Sequence, residues 1–288
     1  MKKLFTIVLL CIIPSLGFTQ IIKQKVIDEG GSGPYKAIAV TEATLINYVV
    51  YRPENLDAAF RKEGKLPILV YANGGCSDTS ITHEKVLSEI ASHGYIIIAI
   101  GAMQMDIQDR KHNSTPGSML TDAIDWIVKR SQDANSDYFQ KVDTNKIAAG
   151  GQSCGGAQVL SVAADTRITS YMMYNSGMGD MEMAGASKST LKNLHAPIIY
   201  IIGGPPDVAH PNAILDFERI EKHIPTAFAD LTEGGHMGTF AEKYGGSFSK
   251  MSIDWLDWQF KGKDNSSIFL KYDLKDYPGW TMKAKNFK

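Results

Sequence analysis

Six short, mostly apolar runs punctuate this chain, at 68–72, 95–100, 147–150, 168–174, 198–202 and 227–231. A strand with one face in water alternates apolar and polar residues, whereas a strand covered on both sides reads as a nearly continuous apolar run. Between the runs and after the last lie stretches of helical spacing at 82–92, 120–128, 155–164, 213–220 and 251–260, the first of them stopped by Gly94. Ahead of them, residues 37–52 alternate around Thr41-Glu42-Ala43 and read as an antiparallel pair closed by Arg52-Pro53. The pattern predicts an α/β fold with a mainly parallel central sheet and helices on both faces. No repeat and no Pro-, Gly- or Ser-rich linker divides it, so residues 20–288 read as a single domain without a large cap domain.

The first nineteen residues have a different character. Lys2 and Lys3 precede an apolar run over 4–18 interrupted by Thr6, Pro14, Ser15 and Gly17, and Gly17 and Thr19 supply the small residues of a cleavage site before Gln20. A basic head, an apolar stretch and a small-residue exit predict a signal peptide over 1–19 and export to the periplasm or the medium. The run is short for a permanent membrane anchor and contains Pro14, and Leu10 stands where lipidation of Cys11 would call for a small residue. Loss of Lys2 and Lys3 takes the 30 basic side chains to 28 against 31 acidic ones. No basic stripe remains to grip phosphates, which argues against a nucleic-acid partner. Of three cysteines, Cys76 and Cys154 stay in the mature chain, and in an oxidising compartment two cysteines can form one disulfide.

Gly151-Gln152-Ser153-Cys154-Gly155 fits G-x-S-x-G, and it leaves an apolar strand and enters a helix. That strand–turn–helix setting is what a nucleophile elbow requires. The turn is sharp, and small neighbours at Gly150, Gly151, Gly155, Gly156 and Ala157 suit it. A phosphate-binding turn is the competing reading, but G-x-G-x-x-G is absent and no acidic residue ends a following strand about 20 residues on. Serine needs a base, and the base an orienter. The strand at 198–202 runs through Gly203-Gly204-Pro205-Pro206 into Asp207, and Glu233-Gly234-Gly235-His236 follows the last strand. Ser153, Asp207 and His236 are therefore the candidate catalytic residues, in the order serine, acid, histidine. Asp180, nearer the elbow, is an alternative acid. Asp216 and Glu218 fall in a helix and read as its solvated face, and no other histidine follows a glycine turn as His236 does.

An oxyanion hole needs two backbone amides converging on one oxygen. One belongs to Cys154, after the nucleophile. The other is expected from Asn73-Gly74-Gly75, after the run at 68–72, with Gly75 the favoured donor and Cys76 the fallback. Two amides that share an oxygen bring Cys76 and Cys154 within disulfide range, so a Cys76–Cys154 bond is expected, with two neighbouring thiols as the alternative. His83-Glu84 is not part of an H-E-x-x-H, and no spaced cluster suggests a metal. Neither metal nor cofactor is called for.

The order strand, N-G-G, helix, H-G-Y-I-I-I-A, elbow, I-I-G-G-P-P-D and G-G-H-M-G resembles the small esterase branch of the α/β-hydrolase superfamily, over about residues 45–260. That branch includes dienelactone hydrolases, chlorophyllases and secreted cutinase-like and polyester-degrading enzymes. The resemblance implies an α/β-hydrolase fold and a serine hydrolase cleaving carboxylic esters, carried by a small molecule or a polymer, through an acyl-enzyme. Three positions depart from common members of the branch: Asn73 replaces a histidine, Gln152 a histidine or tyrosine, and Cys154 a small or apolar residue. The same residues would also serve an amide- or peptide-cleaving hydrolase, or a catalytically silent binding protein on the same fold. The segments at 102–117 and 176–188 carry Met103, Met105, Met178, Met181 and Met183. These methionines either line an acyl or aryl pocket or pack a short lid.

Overall fold

A computed structural model describes residues 21–109 and 112–288, and the expected export segment 1–19 lies outside them. The strands are β1 (Ile21–Lys25), β2 (Ala37–Glu42), β3 (Tyr48–Pro53), β4 (Leu66–Ala72), β5 (Ile96–Ile100), β6 (Val142–Gln152), β7 (Ile168–Tyr174), β8 (Ile198–Ile202), β9 (Thr226–Leu231) and β10 (Trp280–Lys285). The helices are α1 (Leu56–Glu63), α2 (Glu84–Ser92), α3 (Ser118–Gln132), α4 (Cys154–Ser161), α5 (His210–Arg219), α6 (Gly246–Phe260) and α7 (Ser266–Leu270). All ten strands join one sheet in the order β1-β2-β3-β5-β4-β6-β7-β8-β9-β10. The centre, from β5 to β9, is parallel, while β1, β2 and β3 on one side and β10 on the other run antiparallel to their neighbours. This is the α/β-hydrolase architecture, and among the described residues no cap domain interrupts it.

Two-residue alternation splits the core into two layers. Ile68, Val70, Ile98, Met173 and Tyr200 face a layer completed by α3, α4 and Ala213 of α5. Leu69, Tyr71, Ile97, Met172 and Ile201 face the opposite layer with α2 and α6, whose Trp255 is fully buried. Each fully buried Leu or Ile contributes about 1.5–3 kcal/mol relative to exposure, so this double cover accounts for the continuous apolar runs. It also corrects the alternation expected at 37–52: every residue of β2 and β3 is buried, Glu42 and Arg52 included. Glu42 survives there because it accepts a hydrogen bond from Tyr138 Oη at 2.6 Å.

Elements that the apolar pattern did not announce lie at the margins. α1 has a capping signal, Asn55, whose side chain accepts from Ala58 N, yet it buries only Leu56 and Ala59. β1 is a mostly exposed edge strand, whereas β10 alternates apolar and polar residues and buries Trp280 and Met282, a period of two without a continuous apolar run.

The parallel centre places the C-terminal ends of β4, β6, β7, β8 and β9 side by side, where an open α/β sheet offers its crevice. Here β4 and α4 approach so closely that a Cβ on Gly155 would lie 2.2 Å from the Ala72 carbonyl oxygen. Backbone cannot yield cheaply at that distance. Gly155→Ala is therefore expected to lower stability by about 1–3 kcal/mol or more. Gly262→Ala, with nothing near its Cβ but a φ of 68°, should lose only about 1 kcal/mol. Urea midpoints of the two variants check the ranking.

Candidate active site

Strand β6 ends at Gln152 and α4 begins at Cys154, which leaves Ser153 alone in the turn with φ 53° and ψ −121°. A non-glycine residue takes such a conformation only when its surroundings enforce it. Ser153 N donates to Tyr174 O at 3.0 Å, Ser176 Oγ donates to Ser153 O at 2.7 Å, and Gly156 N donates to the same carbonyl at 2.9 Å. The side chain is thereby lifted out of the sheet, and α4 points its N-terminal amides towards it.

The acid and the histidine arrive from β8 and β9. After β8, a turn closed by Asp207 N donating to Gly204 O buries the carboxylate fully. Its Oδ1 accepts from Ala209 N at 2.9 Å and stands 2.6 Å from His236 Nδ1. His236 Nε2 lies 3.0 Å from Ser153 Oγ. With Nδ1–H donating to the carboxylate, Nε2 is left as the acceptor for the serine hydroxyl. The loops of acid and histidine touch through Gly203 and Gly235: Gly235 N donates to Gly203 O at 2.6 Å, and a Cβ on Gly203 would meet Gly235 O at 1.9 Å. Ser153, Asp207 and His236 are thus brought into one hydrogen-bonded series. Asp180 is not part of it: it is exposed and paired with Lys188 and Arg219. His210, another histidine near this end, pairs with Asp230 at 3.1 Å instead.

Facing the serine from β4 is the segment at 73–77. Asn73, expected as the start of the Asn73-Gly74-Gly75 loop and as a departure from related sequences, is buried and knots this loop by donating from Nδ2 to Ser77 O and Ile100 O at 2.9 and 2.7 Å. Cys76 and Cys154 form a disulfide with Cα atoms 5.1 Å apart across 78 positions. The bond ties the loop holding Gly75 to the first residue of α4. His112 lies over Gly75, so a Cβ there would meet its Nε2 at 2.8 Å. Gln152, beside Ser153, is buried and donates from Nε2 to His236 O at 3.0 Å.

A cleft of about 240 Å³ opens from Ser153 and His236 between Met181, Met183, Val208 and Ala209. The five methionines therefore divide. Met181 and Met183 line the cleft, Met103 and Met178 are packed in the core, and Met105 is exposed. Val208 carries the apolar rim outward, 75% exposed. Behind this wall the expectation for Asp216 is overturned. It is not on a solvated face but fully buried, accepting from Met178 N at 2.6 Å and Gly179 N at 2.9 Å. Helical position alone could not reveal this, because the loop that needs two acceptors lies 37 and 38 positions earlier. Glu218 is exposed as expected. Asn175 was not singled out either, although a polar residue closing an apolar strand is a usable signal; it donates to both Asp207 and Gly235.

Among the described residues, no three His, Cys, Asp or Glu side chains are grouped to hold a metal ion, and no helix is long and apolar enough to cross a membrane. A family model described as "PETase: PET hydrolase-like" matches residues 62–272. No curated protein matches the chain.

Two measurements follow from this geometry. Burial raises the Asp216 carboxyl from 3.8 to about 6 against the opposing pull of the Met178 and Gly179 amides and Arg219. The folded state then holds this proton more tightly than the unfolded chain, so the contribution is complete below about pH 4 and lost as pH rises through about 6. Relative to Asp216→Asn, the wild type should lose on the order of 3 kcal/mol between those limits. Urea midpoints of both proteins from pH 4 to 7 test it, and a constant gap would refute it. In a chain lacking residues 1–19, and with them Cys11, the disulfide should leave no thiol open to alkylation in denaturant until reductant is added, when two adducts appear by intact mass. In the chain-entropy model, closing its loop contributes about 4–5 kcal/mol, so reduction should lower the urea midpoint markedly.

Proposed function

The chain belongs to the PET hydrolase-like family of the α/β-hydrolase superfamily, and on that premise we propose that it is an exported serine esterase with Ser153 as nucleophile, His236 as base and Asp207 as orienter. One observation carries the reading: the unbroken series from the buried Asp207 carboxylate through both imidazole nitrogens to Ser153 Oγ, at 2.6 and 3.0 Å.

In this mechanism Ser153 Oγ attacks the ester carbonyl while His236 Nε2 takes its proton. Asp207 keeps the proton on Nδ1 and stabilises the imidazolium that forms. The amides of Gly75 and Cys154 receive the developing oxyanion, and the disulfide beside them holds the two donors at a constant separation. His236 returns its proton to the departing alcohol. Water, deprotonated by the same imidazole, then attacks the acyl-enzyme and regenerates the hydroxyl. The chemistry is complete with the chain's own residues.

Met181, Met183, Val208 and Ala209 give the cleft an apolar wall suited to an acyl or aryl group, and its open form suits an ester carried by a small molecule or a polymer. Export is supported by the basic and apolar start of the sequence and by a disulfide that suits an oxidising compartment.

Ser153→Ala should abolish covalent labelling by a fluorophosphonate and lower turnover of p-nitrophenyl esters by at least about three orders of magnitude. EDTA should leave the wild-type rate unchanged. Labelling that persists in the variant would move the nucleophile elsewhere.

A further inference from the structure

Asn175 stands between acid and base without belonging to the loop of either. It directly follows β7, is fully buried, and adopts φ 43°, a left-handed conformation that asparagine tolerates better than most residues. Its backbone N donates to Ile201 O at 2.9 Å, which fastens it to the end of β8. The side-chain Nδ2 donates to Asp207 Oδ2 at 2.9 Å and to Gly235 O at 2.7 Å. A primary amide has two N–H groups, and both are committed here. The reverse orientation would set Oδ1 against a carboxylate and a carbonyl, two acceptors, so the hydrogen-bond network decides the assignment. Oδ1 itself is buried with no partner among the described residues. An unpaired buried acceptor is unfavourable, so the two donated bonds are what the residue offers in return.

We infer that Asn175 is a positioning residue for hydrolysis, holding the orienting carboxylate and the histidine loop at a set distance with one amide group. The inference rests on the roles proposed for Ser153, Asp207 and His236. Holding Oδ2 from behind keeps Oδ1 turned towards His236 Nδ1. Holding Gly235 O places the residue just before the histidine. Gln152 does the same for the next carbonyl, His236 O, so two carboxamides, from the end of β6 and from just after β7, grip consecutive carbonyls of one loop. Without Asn175 the loop keeps its bonds to Gln152 and Gly203, and the fold survives. The carboxylate keeps Ala209 N on Oδ1 and a long 3.4 Å bond from Gly203 N on Oδ2, but it loses the shorter of the two donors that hold Oδ2 and turn Oδ1 to the imidazole.

The decisive variant is Asn175→Gly, because glycine accepts the left-handed backbone and removes only the amide. Its kcat for p-nitrophenyl esters should fall on the order of 10–100-fold, as small misplacements of reacting groups do, with KM within about twofold. The far-downfield proton NMR signal of the Nδ1–H···Asp207 bond should shift or broaden. Asn175→Asp keeps the shape but turns an acceptor towards Asp207 and Gly235 O, and its kcat should fall at least as far. If Asn175 served only the backbone, Asn175→Gly would retain wild-type kcat and the NMR signal, which would overturn the inference. Wild-type kcat in Asn175→Asp would overturn it equally, and that variant decides if the glycine variant fails to melt cooperatively. Ser153→Ala separates the two levels: labelling that persists there defeats the serine assignment, whereas its loss beside a normal Asn175→Gly defeats only the role of Asn175.

Discussion

The conformation of Ser153, φ 53° with a side chain attached, exists because neighbouring backbone leaves the turn no other course. β4 lies against the start of α4 at a distance only glycine allows, and β7 receives the serine amide through Tyr174 O. These contacts require β4, β6 and β7 to be adjacent and parallel, which in turn requires helices on both faces of the sheet. The double-sided core is therefore a condition for lifting one hydroxyl out of the strand, and the loops after β8 and β9 arrive beside it because they end on the same edge.

Much of this was legible in the amino-acid order. Apolar runs at 168–174 and 198–202 coincide with β7 and β8, because strands covered on both faces stay nearly continuous in apolar residues; β7 admits only Thr169 and Ser170, and β8 no residue that is not apolar or aromatic. The elbow stood out because its glycines are demanded by contacts as close as 2.2 Å. Asp207 and His236 were reachable through chain order and glycine turns, and the cysteine pair through the convergence that two oxyanion donors require.

What escaped was long-range satisfaction of polar groups. Asp216 has the sequence surroundings of a solvated helical position, yet two amides of a distant loop claim its carboxylate. Asn175 and Gln152 look like incidental polar residues until the histidine loop is folded over them. Residue periodicity describes which face is apolar, but it carries no information about which buried donor meets which acceptor 60 or 84 positions away. α1 and β1 were missed for the opposite reason: they bury too little to impose a period.

The bond between Cys76 and Cys154 encloses everything from 77 to 153, including the segment after β5 with its exposed Met105 and Ile107. Exposed segments of this kind are where proteases cut first. A single cut inside the enclosed stretch separates no fragment, because both pieces remain covalently joined at the point where the loop after β4 meets α4. Nicked and intact molecules would have nearly the same mass until reduced, and Ser153 would stay tethered to its facing loop through damage that severs the main chain.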